Sequence, residues 1–272
     1  RESFLMVNNI LLLTAAGAVL LGTLYPLFLD ALGLGKISVG PPYFNTVFVP
    51  LVAPLIFLSG IGPLARWKQV NVPELAARLK WGFGASVLVA LLLPFTLGEW
   101  KPAVSLGYLL SLWIAVTVAI GVRSRMRTGA GWSANFYGMH LAHLGVAVTV
   151  IGVTMVSAYQ TERNVRMEVG DTVTVKDYTF RFDGVRDVDG PNYRGSRGTL
   201  EVSRNGKPVS TLHPEKRIYA ASGMPFTESA IDYGLTRDLY TALGESLDGG
   251  AWSVRVFHKP FVVWIWMGAV LM

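Results

Sequence analysis

Gly138-Met139-His140-Leu141-Ala142-His143-Leu144-Gly145-Val146-Ala147-Val148-Thr149-Val150-Ile151-Gly152 reads as most of a membrane-spanning helix, yet it carries two histidines near its start. Ionisable side chains at membrane depth are rare, so each marks a candidate site. The rest of the chain agrees with a membrane reading. Of 272 residues, 51% are hydrophobic and only 15% charged, a balance foreign to soluble domains of this length.

The net charge of +6 is unevenly placed. Residues 159–259 hold 14 Lys/Arg and 14 Asp/Glu, so the whole excess belongs to the apolar remainder, where membrane topology accounts for it better than nucleic acid does. No cysteine is present, which excludes disulfides, thiolate metal sites and a thiol nucleophile from this chain. The chain opens on Arg1, not Met, and stops inside the apolar run 261–272. At 1.5 Å per residue that run covers about 18 Å of a roughly 30 Å hydrocarbon core, so the expectation is a fragment. Ala16-Gly17-Ala18 lies within a continuing apolar run and does not read as a signal-peptide cleavage site.

Five stretches are long enough, or nearly so, to cross a bilayer: about 5–29, 43–64, 81–97, 103–122 and 138–158. These define a helical membrane region over 1–158, and a further, truncated span begins in 259–272. Arg66, Lys68, Arg78 and Lys80, and later Arg123, Arg125 and Arg127, fall between spans; the other short connections hold only Lys36 and Lys101, balanced by Asp30 and Glu99. The positive-inside rule makes the basic connections cytoplasmic, puts Arg1 inside and sends the fifth helix outward. Residues 159–258 are then extracytoplasmic. Trp81, Trp100, Trp264 and Trp266 fall near the predicted interfaces, as an aromatic belt would.

The outer segment changes period. Residues 165–169, 172–175 and 178–185 are rich in β-branched and aromatic side chains, and Asn205-Gly206 separates the strand-like runs 198–203 and 208–213, a hairpin signal because both turn residues tolerate positive φ. Further strands are expected at 216–220 and 251–257, with a short helix around 235–243. The fold class is therefore a polytopic α-helical membrane protein fragment with an extracytoplasmic all-β domain inserted before the last helix.

On a helical wheel Gly138, Ala142, Gly145, Thr149 and Gly152 line one side of the fifth helix, where a neighbouring helix can approach closely. His140 and His143 project from the opposite side with Met139 and Val146, leaving that side free to receive something else. His143 lies roughly 8–9 Å into the bilayer from Tyr137. Two readings stay open: an imidazole hydrogen-bonded to a carbonyl or hydroxyl, or an axial ligand to a haem between helices. His213 and His258 belong to the outer segment, as a solvent-exposed strand end and an interface residue. A metal chelated by His140 and His143 together lacks the carboxylates or cysteines that would complete it. Gly33-Leu34-Gly35-Lys36-Ile37-Ser38 has neither the spacer nor the hydroxyl of a phosphate loop. The basic, turn-rich stretch from Gly190 to Gly198 reads as a solvated loop, with haem propionates or an acidic partner surface as the alternative.

Several separated segments, in order, resemble one known family. Arg1-Glu2-Ser3 running into Asn8-Asn9, Gly22-Thr23-Leu24-Tyr25-Pro26, Ile37-Ser38-Val39-Gly40-Pro41-Pro42-Tyr43-Phe44-Asn45, Leu141-Ala142-His143-Leu144-Gly145, Gly190-Pro191-Asn192-Tyr193-Arg194-Gly195 and Asp238-Leu239-Tyr240-Thr241-Ala242-Leu243-Gly244-Glu245 together resemble the carboxy-terminal half of CcmF, the haem-lyase component of bacterial cytochrome c maturation. The resemblance implies an inner-membrane protein that attaches haem to apocytochrome c on the outer side, and a membrane-embedded haem b with His143 as one of its two axial ligands. It places the second ligand and the haem-receiving outer loop upstream of Arg1. The implied partners are a haem chaperone, thiol-handling subunits that present apocytochrome c, and quinol as a source of electrons. No catalytic residue is implied within this chain. His140 departs from the small or apolar residue the resemblance leads one to expect there and takes no role. A transporter or export subunit using His143 in proton relay, and a scaffold for maturation proteins, are the competing classes.

Overall fold

The computed structural model describes residues 2–64, 72–97, 99–129 and 131–272, apart from the side chain at position 4. Arg1, Arg66 and Lys68, which entered the topology argument, lie outside the described residues. The chain divides into two compact units, Arg1–Ile151 with Met267–Met272, and Gly152–Trp266.

The first unit is helical. It holds α1 (Glu2–Ala31), α2 (Pro41–Ile61), α3 (Val72–Thr96), α4 (Pro102–Thr128), most of α5 (Ala134–Tyr159) and the end of α6 (Val262–Leu271). Among the described residues five helices, α1 to α5, are long and apolar enough to cross a membrane, and α6 is a shorter apolar helix. The protein is thus a multi-pass membrane protein. Prolines open α2 and α4, where a missing N–H costs nothing, and Gly129 closes α4 at φ 62°.

Two basic clusters sit inside helices and not in connections. Arg78 and Lys80 lie on α3, whose Glu-Leu-Ala-Ala-Arg-Leu-Lys segment keeps helical propensity beyond its apolar part, and Arg125 and Arg127 occupy the last turn of α4, where cations oppose the helix dipole.

The central helix is α4. Its buried face includes Val104, Leu110, Trp113, Ile114 and Val118, of which Leu110, Ile114 and Val118 meet Ile56 of α2 and Ala147 of α5 in one apolar cluster. Glycines set the close approaches: a Cβ on Gly60 would meet the Trp113 indole nitrogen at 2.7 Å, and one on Gly82 would meet Val116 at 2.6 Å. The Trp113 indole lies stacked on Phe57, 5.3 Å between centroids, and donates its N–H to the Phe57 carbonyl at 3.0 Å. That bond satisfies a polar group that lipid cannot.

The second unit is an antiparallel β-sandwich. One sheet has the order β1 (Thr161–Met167), β10 (Trp252–Pro260), β9 (Arg237–Ser246), β8 (Ala230–Asp232). The other runs β2 (Thr172–Val175), β3 (Tyr178–Asp189), β4 (Tyr193–Arg204), β6 (Glu215–Tyr219), β7 (Pro225–Glu228), with β5 (Lys207–Leu212) paired to the distal half of β4. Met167, Leu239, Leu243, Val254 and Val256 from the first sheet close on Val175, Phe180, Phe182, Leu200 and Val202 from the second in one core. The Asn205-Gly206 turn joins β4 to β5 with φ of 52° and 74°, the positive values its residue types allow.

Two expectations for this unit are corrected. The segment read as a short helix around 235–243 is largely strand β9: Leu239, Thr241 and Leu243 alternate inward with zero exposure, and pairing with β8 and β10 overrides the helical propensity of Leu, Arg and Ala. The stretch read as a solvated loop from Gly190 to Gly198 is mostly strand, since β4 starts at Tyr193 and pairs with β6 from Tyr193↔Tyr219 to Arg197↔Glu215. Only Gly190 to Asn192 turn.

Within that pairing Glu215 is buried and accepts from Arg197 and, at 2.6 Å, from Arg217. Burial alone would raise its pKa, but the hydrogen bonds from Arg217 and Arg197 outweigh it and hold the carboxyl below its ordinary 4.5. A depressed folded-state pKa means that this stabilisation is fully present above the unfolded value and is lost as pH falls through the folded one. Glu215→Gln is expected to cost about 1–3 kcal/mol at neutral pH, and to flatten the fall of melting temperature in acid. Melts of parent and variant across that range check it, and an equally steep acid fall in the variant counts against Glu215 as the group responsible.

Candidate functional site

The two membrane histidines have different surroundings. His140 is buried: Nδ1 bonds the Phe136 carbonyl at 2.8 Å, the ring lies 3.9 Å from that of Phe136, and Nε2 sits 2.7 Å from where a Cβ on Gly121 of α4 would be. Its imidazole is a packing element seated on a glycine. The face that the helical wheel left free is therefore taken at His140, and it stays open only at His143.

His143 is half-buried and, with Pro63, Thr117, Val118, Met139 and His140, lines a narrow groove that has no room for a water molecule. Its Nδ1 lies 2.6 Å from the Met139 carbonyl, which accepts only and so assigns the proton to Nδ1. The Nε2 lone pair then remains for another partner. Thr117, the one hydroxyl in the lining, already donates to the Ile114 carbonyl at 2.8 Å. The two readings of this histidine are thus compatible, because they use different nitrogens. A carbonyl on the distal nitrogen is also the usual way an imidazole ligand is oriented and its tautomer fixed.

This donor set fits one axial position of a haem. The groove itself has no volume for a macrocycle, against roughly 300–1,000 Å3 in small-molecule sites, so a haem held at this nitrogen needs room and walls beyond those of the groove.

His140 depends on Gly121. Gly121→Ala is expected to displace the His140 ring and to cost about 1–3 kcal/mol by overpacking. Pairing it with His140→Ala should recover part of that loss, and simple additivity in the melting temperatures would show the two positions to be uncoupled.

The other histidines lie in the sandwich. His213 has only a long contact, 3.4 Å, from Nδ1 to the Thr199 hydroxyl. His258 is half-buried, its ring 5.9 Å from that of Tyr178, and its Nδ1 has no hydrogen-bond partner. Burial first, then the charges of Lys176 and Arg237, lowers its pKa below 6.5. Arg197, which the alternative reading of the basic stretch would turn to propionates, is engaged with Glu215. Among the described residues no group of three or more His, Cys, Asp or Glu is placed to hold a metal ion.

Fold and site together define a multi-pass helical membrane protein with a β-sandwich between α5 and α6 and a histidine in the lining of an apolar groove. Residues 158–260 match the family described as CcmF C-terminal beta-sandwich. The whole chain is 45% identical over 273 residues to the cytochrome c-type biogenesis protein CcmF of Escherichia coli strain K12, and 46% identical over 285 residues to that of Pseudomonas aeruginosa, covering 42% of each. A solved structure, Cytochrome c Heme Lyase CcmF, matches all of this chain and 44% of its own with a TM-score of 0.77 at 23% identity, which shows the shared fold. The chain is similar over its whole length to the part of these CcmF proteins that holds the carboxy-terminal β-sandwich, and it spans about two fifths of the length of the curated relatives it matches.

Proposed function

We propose that this chain is the carboxy-terminal part of a cytochrome c haem lyase of the bacterial inner membrane, and that His143 is an axial ligand to an embedded haem b. One observation carries the reading: His143, in the lining of the groove, spends Nδ1 on the Met139 carbonyl, which leaves Nε2 for another partner. The names of the relatives, cytochrome c-type biogenesis proteins, supply the biological setting.

Each residue has a task in this account. The Met139 carbonyl orients the imidazole and raises its basicity as a ligand. Pro63, Val118 and Met139 keep water from the bond to iron, while Gly121 lets α5 lie close against α4. When bound, haem supplies one-electron chemistry, here the reduction of the haem to be attached to apocytochrome c, with quinol as the electron source. The chain itself contributes no group that forms the thioether. The β-sandwich, on the extracytoplasmic side by the charge argument, docks the haem chaperone or the thiol-handling subunits, and its balanced charge suits a protein-facing surface.

The test is the reduced-minus-oxidised visible spectrum of the purified full-length protein. A b-type spectrum that needs His143 supports the reading, and its absence from the parent favours a transporter or scaffold.

A further inference from the structure

Between β8 and β9 the chain passes through Tyr233-Gly234-Leu235-Thr236, and this loop displays Tyr233 and Leu235 at 72% and 63% exposure. The display is held rigidly. Asp238, 1% exposed, accepts the Gly234 N–H at 3.1 Å, the Arg237 guanidinium bonds both the carbonyl and the carboxylate of Asp232, and a Cβ on Gly234 would meet the Arg237 carbonyl at 2.6 Å.

The same loop is tied to the start of α6. Phe261, at φ 58°, donates its N–H to the Thr236 carbonyl at 3.1 Å, and the Trp264 indole donates to the Leu235 carbonyl at 3.0 Å. Leu235 is therefore bonded through its backbone to the first turn of an apolar helix. Just before that turn Lys259 lies over the rings of Tyr240, at 4.6 Å, and Phe257, at 5.0 Å. Trp, Tyr, a bare aliphatic side chain and a lysine at the mouth of an apolar helix are the chemistry of the lipid headgroup region.

We propose that the Tyr233–Thr236 loop is a membrane-interface anchor, with Tyr233 and Leu235 seated among lipid headgroups beside α6 and Lys259 facing their phosphates. The occupant is lipid and not a protein partner because the loop is continuous, through Trp264 and Phe261, with an apolar helix that leaves Trp266 and Val270 exposed on its outer side, a surface that water does not suit. Water would otherwise meet the apolar surface of both side chains, which is unfavourable.

This chain has no cysteine, so single labels can be placed cleanly once any cysteine elsewhere in the full-length protein is replaced. Leu235→Cys, Tyr233→Cys and Leu247→Cys, the last beyond β9 and about 30 Å along that strand, would carry a polarity-sensitive fluorophore in the full-length protein in nanodiscs. Labels at 233 and 235 are expected to emit to the blue of the label at 247 and to be quenched by lipid spin-labelled near the headgroup, with no quenching at 247. Red, unquenched emission at 233 and 235 overturns the proposal, and so does blue emission without quenching, which would place a protein surface over the loop. The measurement needs no haem, so it stands or falls apart from the role of His143.

Discussion

His143→Ala is expected to abolish the Soret band of the full-length protein, while His140→Ala leaves most of it. The difference follows from the second nitrogen of each ring. Both histidines give Nδ1 to the carbonyl four residues earlier, at 2.6 and 2.8 Å, so both hold the tautomer suited to a ligand. His140 then turns Nε2 into α4 at Gly121, where no third body fits, whereas His143 has no such glycine seat and lines the groove with Pro63 and Val118. Truncating His140 opens a void and costs stability without removing a ligand. Truncating His143 removes the groove-lining imidazole that is not seated on Gly121. Free imidazole added to His143→Ala should restore part of the band, because the site it enters has lost a ring and kept its walls. A band that survives His143→Ala unchanged in intensity and position sinks the ligand assignment, whatever happens to activity.

The sequence made the membrane part legible for a simple reason: a span is a sum over some twenty residues, and sums tolerate local error. Its edges were less legible. Residues 72–80 continue α3 although they carry Arg78 and Lys80, because helical propensity outlasts hydropathy. In the sandwich, 172–175 and 178–185 could be read because their alternation is set by their own side chains. Strand β9 could not: its inward Leu239, Thr241 and Leu243 are separated by residues equally at home in a helix, and the decision comes from β10, which lies later in the chain. Strands β7 and β8 are short and mostly exposed or half-exposed, so no pattern announces them. The same distinction divides the site. An imidazole in an apolar run points to itself, but the fate of His140 is written in Gly121, on another helix, and no spacing within α5 reveals it.

The small-residue side of α5 supports the second large prediction. A Cβ on Gly145 would meet the Gly268 carbonyl at 2.6 Å and the Met272 nitrogen at 2.9 Å; one on Gly268 would meet the Gly145 carbonyl at 2.5 Å and the Thr149 nitrogen at 2.6 Å. These neighbours are backbone atoms, which cannot rotate aside as a side chain would. In lipid such contacts are the main attraction between helices, since acyl chains solvate a leucine as well as another leucine does. Gly145→Leu and Gly268→Leu are each expected to part α5 from α6 and to cost about 3 kcal/mol or more, the upper end of overpacking effects. Gly138→Leu, on the same side of α5 but with open space where a Cβ would stand, should change little. Thermal unfolding of the three variants in one detergent tests the contrast. Equal melting temperatures for Gly138→Leu and Gly145→Leu would mean that α5 and α6 do not meet at these glycines, and the close packing that backs the His143 helix would have to be sought on another face.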